Sequence, residues 1–407
     1  MEKVVNIFDD KNHIFNNMSV FDKKYMPTKI LHRQKEIQQI ATALSHILNG
    51  SSATDCVLYG MKGTGKTLIS KYILSELRKR TLDFRSYYVS FTNTKTEFKA
   101  LEEILIATGL HNLRGKGFNE GIRLLFDNIK TFKEKHIIFI FDEINRVQDC
   151  DSLLYSFLRT NEVYGDIEKH ITCIFITNDF SFPNNISEGT KSSFSGVSRC
   201  IFEPYNANQL KDILYERAKV GLMVDAYDPE VIDLCAAFGA QEHGDARQTI
   251  KMLAKAGEIA QTNHDTKIRH KHVIKARQEI EQDGIIDLIK ILPLQLKAVS
   301  LAIVKNTKNL EKQKITEPPT TTSVYTEYKN ICKTIDIEAL TQRRIGDLIK
   351  ELESIGLIEA HVISRGRYGR TQYINLQPPP DALEKSLTSD MRFEIFKPVI
   401  VQTKFAE

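Results

Sequence analysis

Residues 60–67 read GMKGTGKT. The stretch satisfies the pattern G-x-x-x-x-G-K-[ST] in full. Glycines in such a loop let backbone N–H groups turn inward around phosphate oxygens. Gly63, Thr64, Gly65, Lys66 and Thr67 are the expected phosphate holders, with Lys66 bringing positive charge to the outer phosphates. Thr67 offers a hydroxyl to Mg²⁺. The flanks supply the right context: CVLYG (56–60) is a short apolar strand, and TLISKYILSELRKR (67–80) is an amphipathic helix whose N-terminus faces the anion. A phosphate loop between a strand and a helix predicts an α/β fold that binds ATP or ADP with Mg²⁺.

Working outward, FRSYYVSF (84–91), KEKHIIFIFDE (133–143) and ITCIFITND (171–179) read as further strands alternating with helices. That order predicts a parallel sheet with helices on both faces. Asp142 ends an apolar strand, where a carboxylate reaches Mg²⁺ through water. Glu143 follows as a base able to polarise an attacking water. Asn178 ends the third strand, either as a turn residue or as a group that bonds the γ-phosphate.

Beyond residue 205 only helical periodicity remains up to about 283: NANQLKDILYERAKVGL, PEVIDLCAAFGA and DARQTIKMLAKAGEIA. IIDLIKILPLQLKAVSLAIV (285–304) opens another helix, and a Pro/Thr-rich loop follows it. TQRRIGDLIKELESIGLI (341–358) places Ile345, Leu348, Ile349 and Leu352 on one helical face and Arg343, Asp347 and Lys350 on the other. EAHVISRGRYGRTQYINL (359–376) then reads as two strands around a glycine-bearing tip that projects Arg365, Arg367 and Arg370. Together these predict an α+β winged helix-turn-helix, with Arg343 and Arg344 beside the tip as DNA contacts. A basic hairpin on a protein-binding module is the alternative. QPPPD (377–381) is expected to end the ordered part.

The divisions are therefore an arm over 1–22, a nucleotide-binding base over 23–204, a helical lid over 205–283, a winged-helix domain over 284–378 and a tail over 379–407.

Composition bounds the function. The 407 residues are 27% charged and 42% hydrophobic, with a net charge of +4, so any basic footprint must be local. The six cysteines are scattered with no C-x-x-C spacing, which argues against zinc and for reduced core thiols. The opening MEKVVNIFDDKN has no apolar signal core, and no run is long enough to span a bilayer. A cytoplasmic, nucleoid-associated protein with no membrane partner is expected.

The order of phosphate loop, FDE (141–143), ITND (176–179), FEPY (202–205) and HGDAR (243–247) resembles the AAA+ ATPases, and among them the archaeal replication initiators of the origin-recognition and cell-division-control type. VFDKKYMPTKILHRQKEI (20–37) is similar to that family's opening segment. The resemblance implies that Asn178 is a first sensor and Arg247 a second sensor reaching from the lid. It also implies that Tyr205 and Arg217 line the nucleotide site. The residues alone make Tyr205 a core aromatic and Arg217 a solvated helix charge. It implies a slow ATPase used as a switch, with origin duplex DNA, the replicative helicase and paralogous initiators as partners. A helical insertion, CDSLLYSFLRTNEVYG (150–165), would add a second DNA contact through Arg159, against the plain reading of a helix packed on the sheet.

One departure stands out. Where the family carries an arginine finger, this chain reads GTKSSFSGVSR (189–199), with only Lys191 and Arg199 near. Lysine lacks the planar fork of a guanidinium. A DNA-binding repressor that loads no helicase therefore stays open, as does a motor or phosphotransferase for which DNA is incidental.

Overall fold

The computed structural model describes residues 14–110, 115–165, 167–315, 317–364 and 370–397. It forms two compact units, residues 1–276 and 277–407.

The first unit is built on five parallel strands: β1 (Cys56–Gly60), β2 (Phe84–Ser90), β3 (His136–Asp142), β4 (His170–Thr177) and β5 (Ser198–Phe202). Their order across the sheet is β2-β3-β4-β1-β5. Burial on both faces explains the unbroken apolar run of β3. Ile137, Phe139 and Phe141 point to one core, shared with α3 (Glu97–Ala107), α4 (Phe118–Lys130) and α5 (Asp151–Leu158). Ile138 and Ile140 point to the other, shared with α1 (Gln34–Leu44) and α2 (Lys66–Arg78). Short helices α6 (Thr160–Tyr164) and α7 (Glu188–Phe194) complete this base. Gly60, Asp142 and Thr177 close three strands at the sheet's carboxyl edge, where open α/β sheets take ligands.

The lid comprises α8 (Ala207–Gly221), α9 (Pro229–Gln241) and α10 (Ala246–Thr262). Asn206 and Gln209 form a capping box that starts α8, and Asp245 caps α10 through the Arg247 and Gln248 amides. The expected polar arm ends differently. Ile14, Phe15 and Val20 are buried, and Phe15 and Phe21 pack on Gly257 and Gly221, where a Cβ would lie 2.5 Å from each ring. These four apolar side chains, with backbone hydrogen bonds from Asn16 and Asn17 to Gly221 and from Met223 to Ile14, dock residues 14–22 on the lid.

Helix α11 (His270–Ile291) contains the division between the units. The single helix expected from residue 285 onward is split: α11 stops at Ile291, and Pro293, which cannot continue it, precedes α12 (Leu294–Lys312). In the second unit α12 runs through the core. Around it lie α13 (Thr321–Thr334), α14 (Gln342–Ser354) and the antiparallel pair β6 (Ile358–Ser364) and β7 (Arg370–Leu376). Order does not end at QPPPD. Pro380 occupies the first turn of α15 (Pro380–Leu387), where a missing N–H costs nothing, and Leu383, Leu387 and Phe393 enter the core.

All six cysteines are buried thiols. Among the described residues no helix is long and apolar enough to cross a membrane.

Candidate nucleotide site and nucleic-acid interface

A cleft of about 980 Å³ opens between the base and the lid of the first unit. Its floor is the phosphate loop. Gly63 and Gly65 have φ of +73° and +96°, a region glycine enters without strain. A Cβ on Gly63 would sit 1.8 Å from the Asp245 carboxylate of the lid, so the loop admits only glycine there.

Lys66 begins α2 and is 8% exposed. Its ammonium donates to the carbonyls of Gly60 at 2.6 Å and Met61 at 2.8 Å. Burial pushes its pKa down to about 8, partly opposed by Asp142, with Arg247 pushing the same way as burial. The charge of Arg247 thus reaches Lys66 from the lid, although Arg247 itself is exposed.

Thr67 donates its hydroxyl to Asp142 Oδ2 at 2.7 Å. Tyr88, from the tip of β2, donates to the same oxygen at 2.8 Å. A hydroxyl and a carboxylate side by side are hard oxygen donors of the kind Mg²⁺ takes, with water and phosphate filling its other positions. Glu143 adopts a left-handed conformation, φ +58°, which turns it sharply off the end of β3. Its Oε2 is buried without a hydrogen bond, and Arg146 Nε lies 3.6 Å away. Asn178 Oδ1 accepts from the Asn145 amide at 3.0 Å, and Asn145 in turn accepts from Thr177 at 3.0 Å. This chain fixes which way the Asn178 amide faces.

The cleft therefore brings together Gly63, Thr64, Gly65, Lys66, Thr67, Asp142, Glu143, Asn178, Tyr205, Arg217 and Arg247, which all line it. Tyr205 is the core aromatic that the residues alone suggest, whereas Arg217 is more constrained than they imply. Tyr205 is buried, with its hydroxyl against Gly65. Arg217 is no solvated charge: it donates to the Val20 carbonyl at 2.9 Å and lies 4.4 Å from the Tyr25 ring centre, so its guanidinium ties the arm to the lid. Sequence reading missed Tyr88, Asn145 and Asp245. Asp245 carried a signal, as an N-cap before an apolar-periodic helix; Tyr88 and Asn145 carried none without the strand order.

In the second unit, Arg343 and Arg344 lie exposed on α14 while Ile345, Leu348, Ile349 and Leu352 are buried, as the helical spacing predicts. Arg344 pairs with Asp347 at 3.5 Å. Arg365 and Arg367 lie outside the described residues, and Arg370 opens β7.

Residues 211–278 match the Cdc6 AAA+ ATPase-type lid domain, and residues 287–386 the C-terminal winged helix domain of CDC6. Residues 33–198 match the NB-ARC domain. The chain is 37% identical to an ORC1-type DNA replication protein of Thermococcus kodakarensis over 378 residues, covering 90% of this chain and 89% of that one. It is 34% identical to ORC1-type DNA replication protein 1 of Methanosarcina mazei, covering 95% and 93%. The chain belongs to the ORC1/Cdc6 family of DNA replication proteins. Its structure is similar to that of Aeropyrum pernix ORC1 solved in complex with DNA, with a TM-score of 0.81 at 32% identity over 95% of this chain and 100% of that one.

Within this family, the AAA+ fold with its Cdc6-type lid and winged helix is the one the sequence predicts. Two cations lie near the finger position. Lys191 pairs with Glu188 at 2.8 Å, and Arg199 is exposed on edge strand β5. Arg159 donates to Ser193 at 2.5 Å and to Glu162 at 3.2 Å. The helix before it, α5, buries Leu153, Leu154 and Phe157 in the base core, as the plain packing reading requires.

Proposed function

We propose that this protein is an ATP-regulated replication initiator that binds origin duplex DNA through its winged helix and base contacts and helps recruit or load the replicative helicase. ATP and Mg²⁺ bind between base and lid, and slow hydrolysis acts as a switch rather than a motor. The observation that carries this reading is similarity along nearly the whole chain to ORC1-type relatives, one of them solved with DNA. Arg343, Arg344, Arg365, Arg367 and Arg370 are the proposed DNA contacts, and paralogous initiators are the expected neighbours on DNA. A DNA-associated cytoplasmic location follows from the same reading.

The finger position favours one second reading, a DNA-binding regulator that loads no helicase. Lys191 stands near that position, and lysine cannot make the bidentate contact of an arginine.

The test is duplex binding across a salt series. Each lost phosphate contact should reduce the slope of log K against log salt by about 0.9. The Arg343→Ala/Arg344→Ala and Arg365→Ala/Arg367→Ala proteins are both expected to bind less tightly with shallower slopes. Unchanged slopes in both would remove the winged helix from the interface. On origin DNA with ATP, retention of purified replicative helicase supports the initiator, whereas tight DNA binding without it supports the regulator.

A further inference from the structure

Arg33 does not line the cleft, yet it touches both the phosphate loop and the junction of base and lid. It stands just before α1 and is 3% exposed. Its Nε donates to the Thr64 carbonyl at 3.2 Å, one guanidinium nitrogen donates to Glu36 Oε1 at 3.0 Å, and the other to the Glu203 carbonyl at 2.5 Å. The guanidinium carbon lies 3.9 Å from the centre of the Tyr205 ring. Burying such a charge is costly unless its donors are well placed, and here three different acceptors and an aromatic face meet it.

Apart from Glu36 on α1, these partners belong to two structures. Thr64 is in the phosphate loop. A trans peptide points its C=O and the next N–H in opposite directions. By holding the Thr64 carbonyl, Arg33 fixes the plane of the peptide to Gly65 and keeps the Gly65 N–H directed away from itself. Glu203 and Tyr205 are at the junction of base and lid. Tyr205 N donates to Gly244 O at 3.4 Å, and a Cβ on Gly244 would lie 2.4 Å from the Tyr205 carbonyl, so the junction is pressed against the start of the lid's last helix.

We propose that Arg33 is a positioning residue that couples the phosphate loop to the base–lid junction, so that loading the loop sets the lid. This rests on the nucleotide-switch reading. A rotation of the Thr64–Gly65 peptide on phosphate binding pulls on one corner of a planar guanidinium whose other corner holds Glu203. Lysine keeps the charge for Glu36 but, as a point charge on a flexible stem, cannot hold two carbonyls and a ring in one plane.

The experiment measures the distance between spin labels on the base and the lid, at Lys99→Cys and Gln241→Cys, both exposed, in the full chain whose native thiols are buried. Distances are compared with ADP and with a non-hydrolysable ATP analogue in otherwise wild-type, Arg33→Lys and Arg33→Ala proteins. The expected result is a nucleotide-dependent shift in the otherwise wild-type protein that falls by more than half in Arg33→Lys, while ATP affinity drops by no more than about tenfold. Arg33→Ala should lose the shift altogether; should it fail to fold, Arg33→Lys decides. A shift of wild-type size in Arg33→Lys overturns the coupling role and leaves the switch standing. No shift in the otherwise wild-type protein overturns both.

Discussion

Replacing Lys66 with alanine should abolish tight ATP binding while leaving the fold intact. The ammonium sits at the mouth of α2 with two of its three donors on loop carbonyls. Phosphate oxygens are stronger acceptors than these carbonyls, and hydrogen bonds to charged groups contribute about 1.5–3 kcal/mol each. Losing two of them weakens binding by about 3–6 kcal/mol, or a factor of about 10² to 10⁴ in Kd. Isothermal titration with ATP and Mg²⁺ measures it, and a Kd within a few-fold of wild type would refute the assignment. The same lysine predicts an unusual pH dependence. Burial lowers its pKa from the ordinary lysine value of 10.5 to about 8. A lowered lysine means that the unfolded chain holds the proton more firmly. The penalty for burying the charge is fully present below pH 8 and fades as pH rises towards 10.5, so this group makes the free protein more stable across that window. If the ammonium holds the phosphates as proposed, ATP affinity should fall over the same window, by about tenfold per pH unit until other groups intervene. Stability and affinity moving in opposite directions is the signature, and Lys66→Ala should erase both trends.

Much of this site was legible because it is local. The phosphate loop, the Asp142–Glu143 pair and the GDAR turn are each contiguous in sequence, and each has a physical reason to sit at the edge of a strand or the start of a helix. What escaped reading is long-range. Tyr88 reaches Asp142 only because β2 lies beside β3, and nothing in FRSYYVS says which strand is its neighbour. Arg33 meets Glu203 across 170 positions. The arm looked polar because Ile14, Phe15 and Val20 are too few to set up a period. Likewise three prolines in QPPPD read as a stop, although a proline is at home in the first turn of a helix. Fold class followed from alternation and motif order; couplings between elements did not, because hydrophobic periodicity carries no information about partners.

Glu143→Gln should separate binding from hydrolysis. The glutamate follows β3 directly, in a left-handed conformation, φ +58° and ψ 40°, that a non-glycine residue holds only where its surroundings enforce it. That turn places a carboxylate oxygen in a buried position with no hydrogen-bond donor, while Arg146 Nε stays 3.6 Å away, near enough to attract it and too far to occupy it. An unoccupied carboxylate oxygen beside Asp142 is what a general base for water requires. Glutamine keeps the shape and removes the basicity. Phosphate contacts through the loop amides and Lys66 are untouched, so ATP affinity should stay within a few-fold of wild type. The hydrolysis rate should fall by about 10² to 10⁴, the usual worth of a positioned base. Glutamine gives up only the partly exposed ion pair with Arg146, so thermal stability should change little. Single-turnover hydrolysis of prebound ATP isolates the chemical step from binding and release. Hydrolysis at the wild-type rate would transfer the base role to another group at the end of β3 or β4.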